Sequence, residues 1–121
     1  MDVQSKEANV REDPRKFGAI PLTQRQYQAI GIVVAILDIT RQDFYDAAFE
    51  RFLERRSAEG NGFQYRARPK TNKRVTIRGD RHLMERVGRW AERDNVFVTV
   101  AYHEAITECL EYLRAEMEEL P

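Results

Sequence analysis

Arg74, Thr76 and Arg78 alternate with Val75 and Ile77 over five consecutive residues. In an extended chain successive side chains point to opposite faces, so the three polar residues share one face and the two aliphatic residues the other. The chemistry open to such a polar face is hydrogen bonding to the edges of nucleobases. A guanidinium carries paired donors that match N7 and O6 of guanine; a threonine hydroxyl donates or accepts, and its methyl can meet a thymine methyl. An ordinary amphipathic strand with solvated arginines has the same pattern, so the segment needs support from its surroundings.

Other reactive types are scattered. His82, His103 and Cys109 lie too far apart, or on different faces of one helix, to hold a metal together. Asp38, Asp43 and Asp46 are close in sequence, as nuclease carboxylates might be, but helix capping and surface charge account for them. Trp90 fits a core position better than an exposed stacking platform. There is no glycine-rich phosphate loop and no nucleophile elbow. The expectation is a protein with no catalytic residues, no metal and no cofactor, and so not an enzyme.

The elements that must hold the polar strand follow from a weak internal repeat at a constant spacing of 57 residues. Ile20 matches Ile77, Ile30 matches Val87, Tyr45 matches Tyr102, Ala48 matches Ala105 and Leu53 matches Leu110. Each half reads as a short strand, a helix, a tight turn and a second helix. A β-α-α unit of roughly forty residues cannot bury its apolar face alone, whereas two can bury it against each other. The predicted class is α+β, mostly helical. Residues 1–14 are a polar lead-in expected to be flexible. Residues 15–121 form one domain of two repeats, about 17–58 and 74–117, joined by an exposed basic linker over about 59–73.

The first extended segment runs from Phe17 to Thr23, with Ile20 and Leu22 inward and Phe17, Ala19, Pro21 and Thr23 outward. The first helix begins near Thr23 or Gln24 and buries Tyr27, Ile30, Val34 and Leu37. The nine apolar residues from Ala29 to Leu37 fall short of the about 20 that a spanning helix needs, so they read as a buried helix. Thr40 caps the second helix with Asp43 in the capping-box position, and Phe44, Ala47, Ala48, Phe52 and Leu53 face inward. Gly79 and Asp80 end the second strand, and Asp80 caps a helix that buries Leu83, Val87 and Trp90. The last helix runs from near Thr99 to about Met117, because Phe97, at the position matching Thr40, cannot cap it and Thr99 can. It buries Tyr102, Ala105, Ile106, Cys109, Leu110 and Leu113.

Lysine and arginine total 20, as do aspartate and glutamate, yet the charge is polarised. Between Gly62 and Trp90 nine basic residues face only Asp80 and Glu85, a net of +7. From His103 to Pro121 six glutamates face Arg114 alone, a net of −5. Such a chain can present a positive face to an anion while carrying no net charge. The single cysteine excludes an internal disulfide and fits a reducing cytoplasm, here taken as bacterial.

This order of elements, with one polar face on the second strand, resembles the ribbon-helix-helix family of DNA-binding proteins over residues from about 17 to 115. The resemblance implies that two β-α-α units share an antiparallel ribbon that lies in the major groove. Here both units would sit in one chain, as a monomeric pseudo-dimer that does not insert into membranes. It implies base contact by Arg74, Thr76 and Arg78, with Thr23 from the first strand, and an asymmetric site, since Phe17, Ala19 and Pro21 read bases poorly. It implies phosphate contact at the N-termini of the second helices, through Thr40, Arg41 and Gln42 in one unit and Thr99 in the other. Lys16, Lys70 and Lys73 flank the ribbon. The chain is also similar to accessory domains of Ti-plasmid transfer-DNA processing. That likeness implies a role in virulence and DNA transfer beside a relaxase and a partitioning-type ATPase. Two alternatives stand beside it: a ribbon-helix-helix repressor or antitoxin, and an interaction module whose acidic last helix is the working surface.

Overall fold

In a computed structural model, residues 15–71 and 73–118 are described; the lead-in expected over 1–14 lies outside them. The order is β1 (Arg15–Pro21), α1 (Gln24–Leu37), α2 (Arg41–Glu59), a single 3-10 turn (Gly60–Gly62), β2 (Arg74–Asp80), α3 (Arg81–Arg93) and α4 (Val98–Glu118). The described chain is α+β and mostly helical, with one two-stranded antiparallel sheet and four α-helices.

The strands pair in a register that sets Ala19 opposite Thr76, and these two residues are 57 positions apart. The helices keep the same spacing: α1 and α3 begin at Gln24 and Arg81, and α2 and α4 at Arg41 and Val98. The inner face of the ribbon carries Ile20, Val75 and Ile77, all buried. β1 lies mainly against α4 and β2 mainly against α2, so each strand covers the long helix of the other half. α2 and α4 pack together through Phe44, Phe49, Phe52, Tyr102 and Ile106, and α1 and α3 close the outside of that layer.

Helix starts follow from local chemistry. Thr40 accepts from the Asp43 amide at 3.0 Å, and the Asp43 carboxylate accepts from the Thr40 amide at 3.1 Å. This is the capping box expected from the sequence, and such a cap is worth about 1 kcal/mol. Asp80 accepts from the Leu83 amide at 2.9 Å, as expected. Asp38 closes α1 in the left-handed region at φ 58, a conformation that aspartate tolerates better than most residues.

Several expectations are corrected. β1 ends at Pro21, so Thr23 lies beyond the strand and is the N-cap of α1. β2 continues through Gly79 to Asp80. α1 is rotated from its expected stripe: Ala29, Ile30 and Val33 are buried, while Leu37 is exposed, as are Ile32 and Ile36. The nine-residue apolar run is therefore a half-exposed helix. Ala47 faces solvent, and Tyr45 and Phe49 take the inward places beside it. In α3 the buried stripe is Met84, Val87 and Ala91, with Leu83 and Trp90 partly covered. α4 begins at Val98 without a side-chain cap; the Phe97 carbonyl accepts from the Val100 amide at 2.9 Å. The helix thus keeps the repeat spacing at the cost of its cap, and Thr99 sits inside its first turn. Leu113 is only partly buried.

The linker is the largest correction. It is anchored along α4 rather than crossing in solvent. Phe63 and Tyr65 stack with Phe52 and with each other, at centroid distances from 5.0 to 6.2 Å. Arg66 donates to Glu104 at 2.6 Å through its side chain and at 2.8 Å through its amide.

Candidate nucleic-acid interface

The outer face of the ribbon is set by its pleat. Arg74, Thr76 and Arg78 are exposed, and Val75, Ile77 and Gly79 between them are buried. Alternate residues on a strand stand about 7 Å apart, so these side chains span about 13 Å, or roughly four base pairs of duplex. A two-stranded ribbon fits a major groove about 12 Å wide. On β1 the register sets Phe17 against Arg78, Ala19 against Thr76 and Pro21 against Arg74. Phe17 is 56% exposed, and the Arg78 guanidinium lies 5.4 Å from its ring centroid. A stacked guanidinium loses less freedom on binding, so Phe17 steadies Arg78.

Pro21 does not belong to this face. It is buried, in a cleft shared with Arg68, Pro69, Lys70, Thr71 and Arg74. Thr23 is exposed, but its hydroxyl accepts from the Gln26 amide at 3.1 Å, and the Gln26 side chain accepts from the Thr23 amide at 2.9 Å. Its first role is therefore to cap α1.

The charge polarity of the sequence divides in space. Glu104 is 1% exposed and takes Arg55 at 3.1 Å and Arg66 at 2.6 Å. Glu108 takes both donors of Arg51, at 2.7 and 2.9 Å, and these two residues stand 57 apart. Glu111 takes the other end of Arg66 at 2.8 Å. Half of the six glutamates near the C-terminus are thus spent inside the molecule. In contrast, no carboxylate lies within ion-pair distance of Arg74, Arg78, Arg86 or Arg89 among the described residues. Arg74 and Arg78 thus stand unpaired on the ribbon, and Arg86 and Arg89 on α3.

The two ends of the ribbon differ. At one end the α2 N-terminus carries exposed Thr40, half-buried Gln42, and Arg41. The Arg41 guanidinium rests 4.4 Å from the Tyr27 centroid, with its Nη1 unpartnered. Lys73 sits nearby, donating to Gln24 at 2.8 Å and lying 5.8 Å from the same ring, and Lys70 is exposed on the loop. At the other end Lys16 and Phe17 share a groove with Arg89, Val98 and Thr99. The Thr99 hydroxyl accepts from Arg68 at 2.9 Å, so it is not a free ligand group.

Groups that might have suggested catalysis have structural roles. Asp46 accepts from the Asp80 amide at 2.7 Å and ties α2 to the end of β2. Trp90 is partly buried, with the Arg56 guanidinium 4.3 Å and that of Arg93 4.8 Å from its ring, so it serves as a stacking partner for these arginines. Asp94 binds Arg56 through two bonds at 2.6 and 2.7 Å and also accepts from the Tyr65 hydroxyl. Arg56 holds the Asp94 carboxyl below its ordinary range, while burial and the neighbouring carboxylate push Tyr65 upward. Burial also lowers His103, whose Nδ1 has no partner and whose Nε2 lies 3.3 Å from the Thr107 hydroxyl.

The outward placing of Arg74, Thr76 and Arg78 is as expected from the alternation, whereas Phe17 beneath Arg78 and the unpaired arginines of α3 were not anticipated. The latter were open to discovery, since Arg86, Arg89 and Arg93 follow the three-and-four spacing of one helix face. Compared with protein families, with characterised proteins and with solved structures, the chain gives no match.

Proposed function

We propose that this chain binds double-stranded DNA by laying the β1–β2 ribbon in the major groove, as a ribbon-helix-helix pseudo-dimer within one chain. The observation that carries the reading is the pair Arg74 and Arg78. Both are exposed on the outer face of the ribbon and have no carboxylate partner among the described residues, whereas Arg51, Arg55, Arg56 and Arg66 are held in ion pairs. The equivalence of the halves is supported by the Ala19–Thr76 register and by the exchange of strands between the long helices.

In this reading Arg74, Thr76 and Arg78 read bases. Thr40, Arg41, Gln42, Lys70, Lys73 and Lys16 hold the phosphates beside the groove. Thr99 contributes its backbone amide rather than its hydroxyl, which is engaged, and Thr23, whose hydroxyl and amide are both held by Gln26, takes no direct part in base contact. Phe17 and Ala19 give β1 an apolar edge, so the preferred site is not a strict palindrome. The setting we propose is that of an accessory factor in transfer-DNA processing, placing a relaxase and a partitioning-type ATPase on a DNA site. The acidic helix is a poorer candidate surface, since Glu104, Glu108 and Glu111 are engaged internally.

The test is duplex binding across a salt series, for the native chain and for Arg74→Ala/Arg78→Ala. Each arginine that grips a guanine contributes about 1–3 kcal/mol of discrimination. The double variant should therefore keep part of its affinity and lose its sequence preference. Equal preference in both proteins would remove the ribbon from the reading, and no duplex binding by the native chain at low salt would remove DNA.

A further inference from the structure

The two outer helices hold equivalent places but have different chemistry. At positions 57 apart, Ala29, Ile32 and Ile36 of α1 correspond to Arg86, Arg89 and Arg93 of α3. Ile32 and Ile36 are each 59% exposed, and all three arginines are exposed as well. The fold tolerates apolar side chains at these places, so the positive charge on α3 is not needed to build or hydrate the helix.

From the exposed, basic stripe on α3 and its junction with the ribbon, we infer that α3 is a second anion-binding track, which holds the phosphate backbone of DNA beyond the ribbon. The inference rests on the DNA-binding reading above. Arg89 lines the same groove as Lys16, Phe17, Val98 and Thr99, with Glu85 and Glu92 also on its wall, so the stripe begins where the ribbon ends. Arg86, Arg89 and Arg93 line a second shallow groove beside Trp90. The Trp90 ring, 4.8 Å from the Arg93 guanidinium, steadies that side chain. Arg86 and Arg93 stand seven residues apart, about 10 Å along the axis. Phosphates of one strand advance about 3.4 Å each along a duplex, so the track matches about three. Glu92 shares the groove and Glu85 is drawn to Arg81 at 3.7 Å, which leaves the arginine row in excess. Nucleic acid is favoured over an acidic protein because the track continues the ribbon's own basic face. The first half has no such track, so the duplex is held more extensively on the α3 side.

The experiment compares the full chain, Arg86→Ala/Arg89→Ala/Arg93→Ala and Arg74→Ala/Arg78→Ala on one set of duplexes over a salt series. The triple variant should lose roughly ten- to a hundredfold in affinity at 0.1 M salt, and its logarithmic salt slope should fall by about two to three, with sequence preference kept. Arg86→Gln/Arg89→Gln leaves the Arg93–Trp90 contact in place and should give a smaller drop in slope, so a folding defect in the triple variant cannot decide the matter. If both α3 variants bind with the native slope while the ribbon variant is impaired, the track is wrong and the DNA reading stands. If the native chain binds no duplex at low salt, both fail. If the α3 variants bind DNA normally but lose a protein partner, the stripe is a protein-docking surface and the inference is overturned.

Discussion

Asp94→Ala should destabilise the protein more than most surface substitutions, for a reason that can be worked through. Arg56 and Asp94 side chains are 8% and 16% exposed and meet through two short bonds. Removing the carboxylate leaves a buried guanidinium with the Gly60 carbonyl, at 2.7 Å, as its remaining hydrogen-bond partner, and it strands the Tyr65 hydroxyl. Breaking a buried pair from one side costs about 3–5 kcal/mol, a large share of the roughly 5–15 kcal/mol that holds a domain together. The melting temperature should drop by roughly 10–20 °C. The pH dependence carries a sign. Arg56 depresses the folded pKa of Asp94 below its ordinary 3.8, so the pair's contribution is complete above that pH. It is lost as pH falls below 3.8 through the folded value. Urea unfolding at pH 7 and at several points below pH 4 measures both effects; Asp94→Asn should lack the acid-side component. Arg56→Met/Asp94→Leu should recover much of the loss, since apolar residues of similar size avoid the stranded charge. An Asp94→Ala protein within about 1 kcal/mol of native at pH 7 would refute the reasoning, because no stranded buried charge costs so little.

Other outcomes follow from single contacts. Thr40→Ala should lose about 1 kcal/mol in denaturant unfolding, with the capping box removed. Gly79→Ala places a Cβ 2.9 Å from both the Asp46 carboxylate and the Phe49 ring. Such overpacking should cost about 1–3 kcal/mol by the same assay. The Cys109 thiol is buried and pushed up to about 11, so alkylation of the native protein should proceed only as fast as it opens. His103 is held below its ordinary 6.5 in the fold, so the unfolded chain takes up a proton first as pH falls. Stability should therefore decline below pH 6.5, and comparing His103→Gln with the native chain at pH 7.5 and 5.5 should show that decline diminished.

Local chemistry was readable in the sequence wherever neighbours in the chain decide the structure. The Val75–Ile77 alternation fixed the inner and outer faces of β2, and Thr40 with Asp43 fixed the start of α2. The 57-residue spacing carried through to the helix starts and to the pairing of Ala19 with Thr76. The phase of α1 was not readable, because apolar residues on every side of Ala29–Leu37 leave no polar face to orient it. Pro21 was misplaced because its cover comes from residues 68–71, far along the chain. The linker was misread for a related reason: Arg66 finds its carboxylate 38 residues away, and no local pattern announces such a pair. Within the candidate site the arginines were legible as types, whereas the engagement of the Thr23 and Thr99 hydroxyls depends on Gln26 and Arg68 reaching them.

Arg51 and Glu108 hold corresponding places in the two halves, yet they carry opposite charge and bind each other. A half that met a copy of itself in the same way would set arginine against arginine, or glutamate against glutamate. The repulsion would act where the two long helices meet. The two halves are therefore complementary at this contact rather than alike. Expressed as separate pieces, they should pair with each other in preference to copies of themselves.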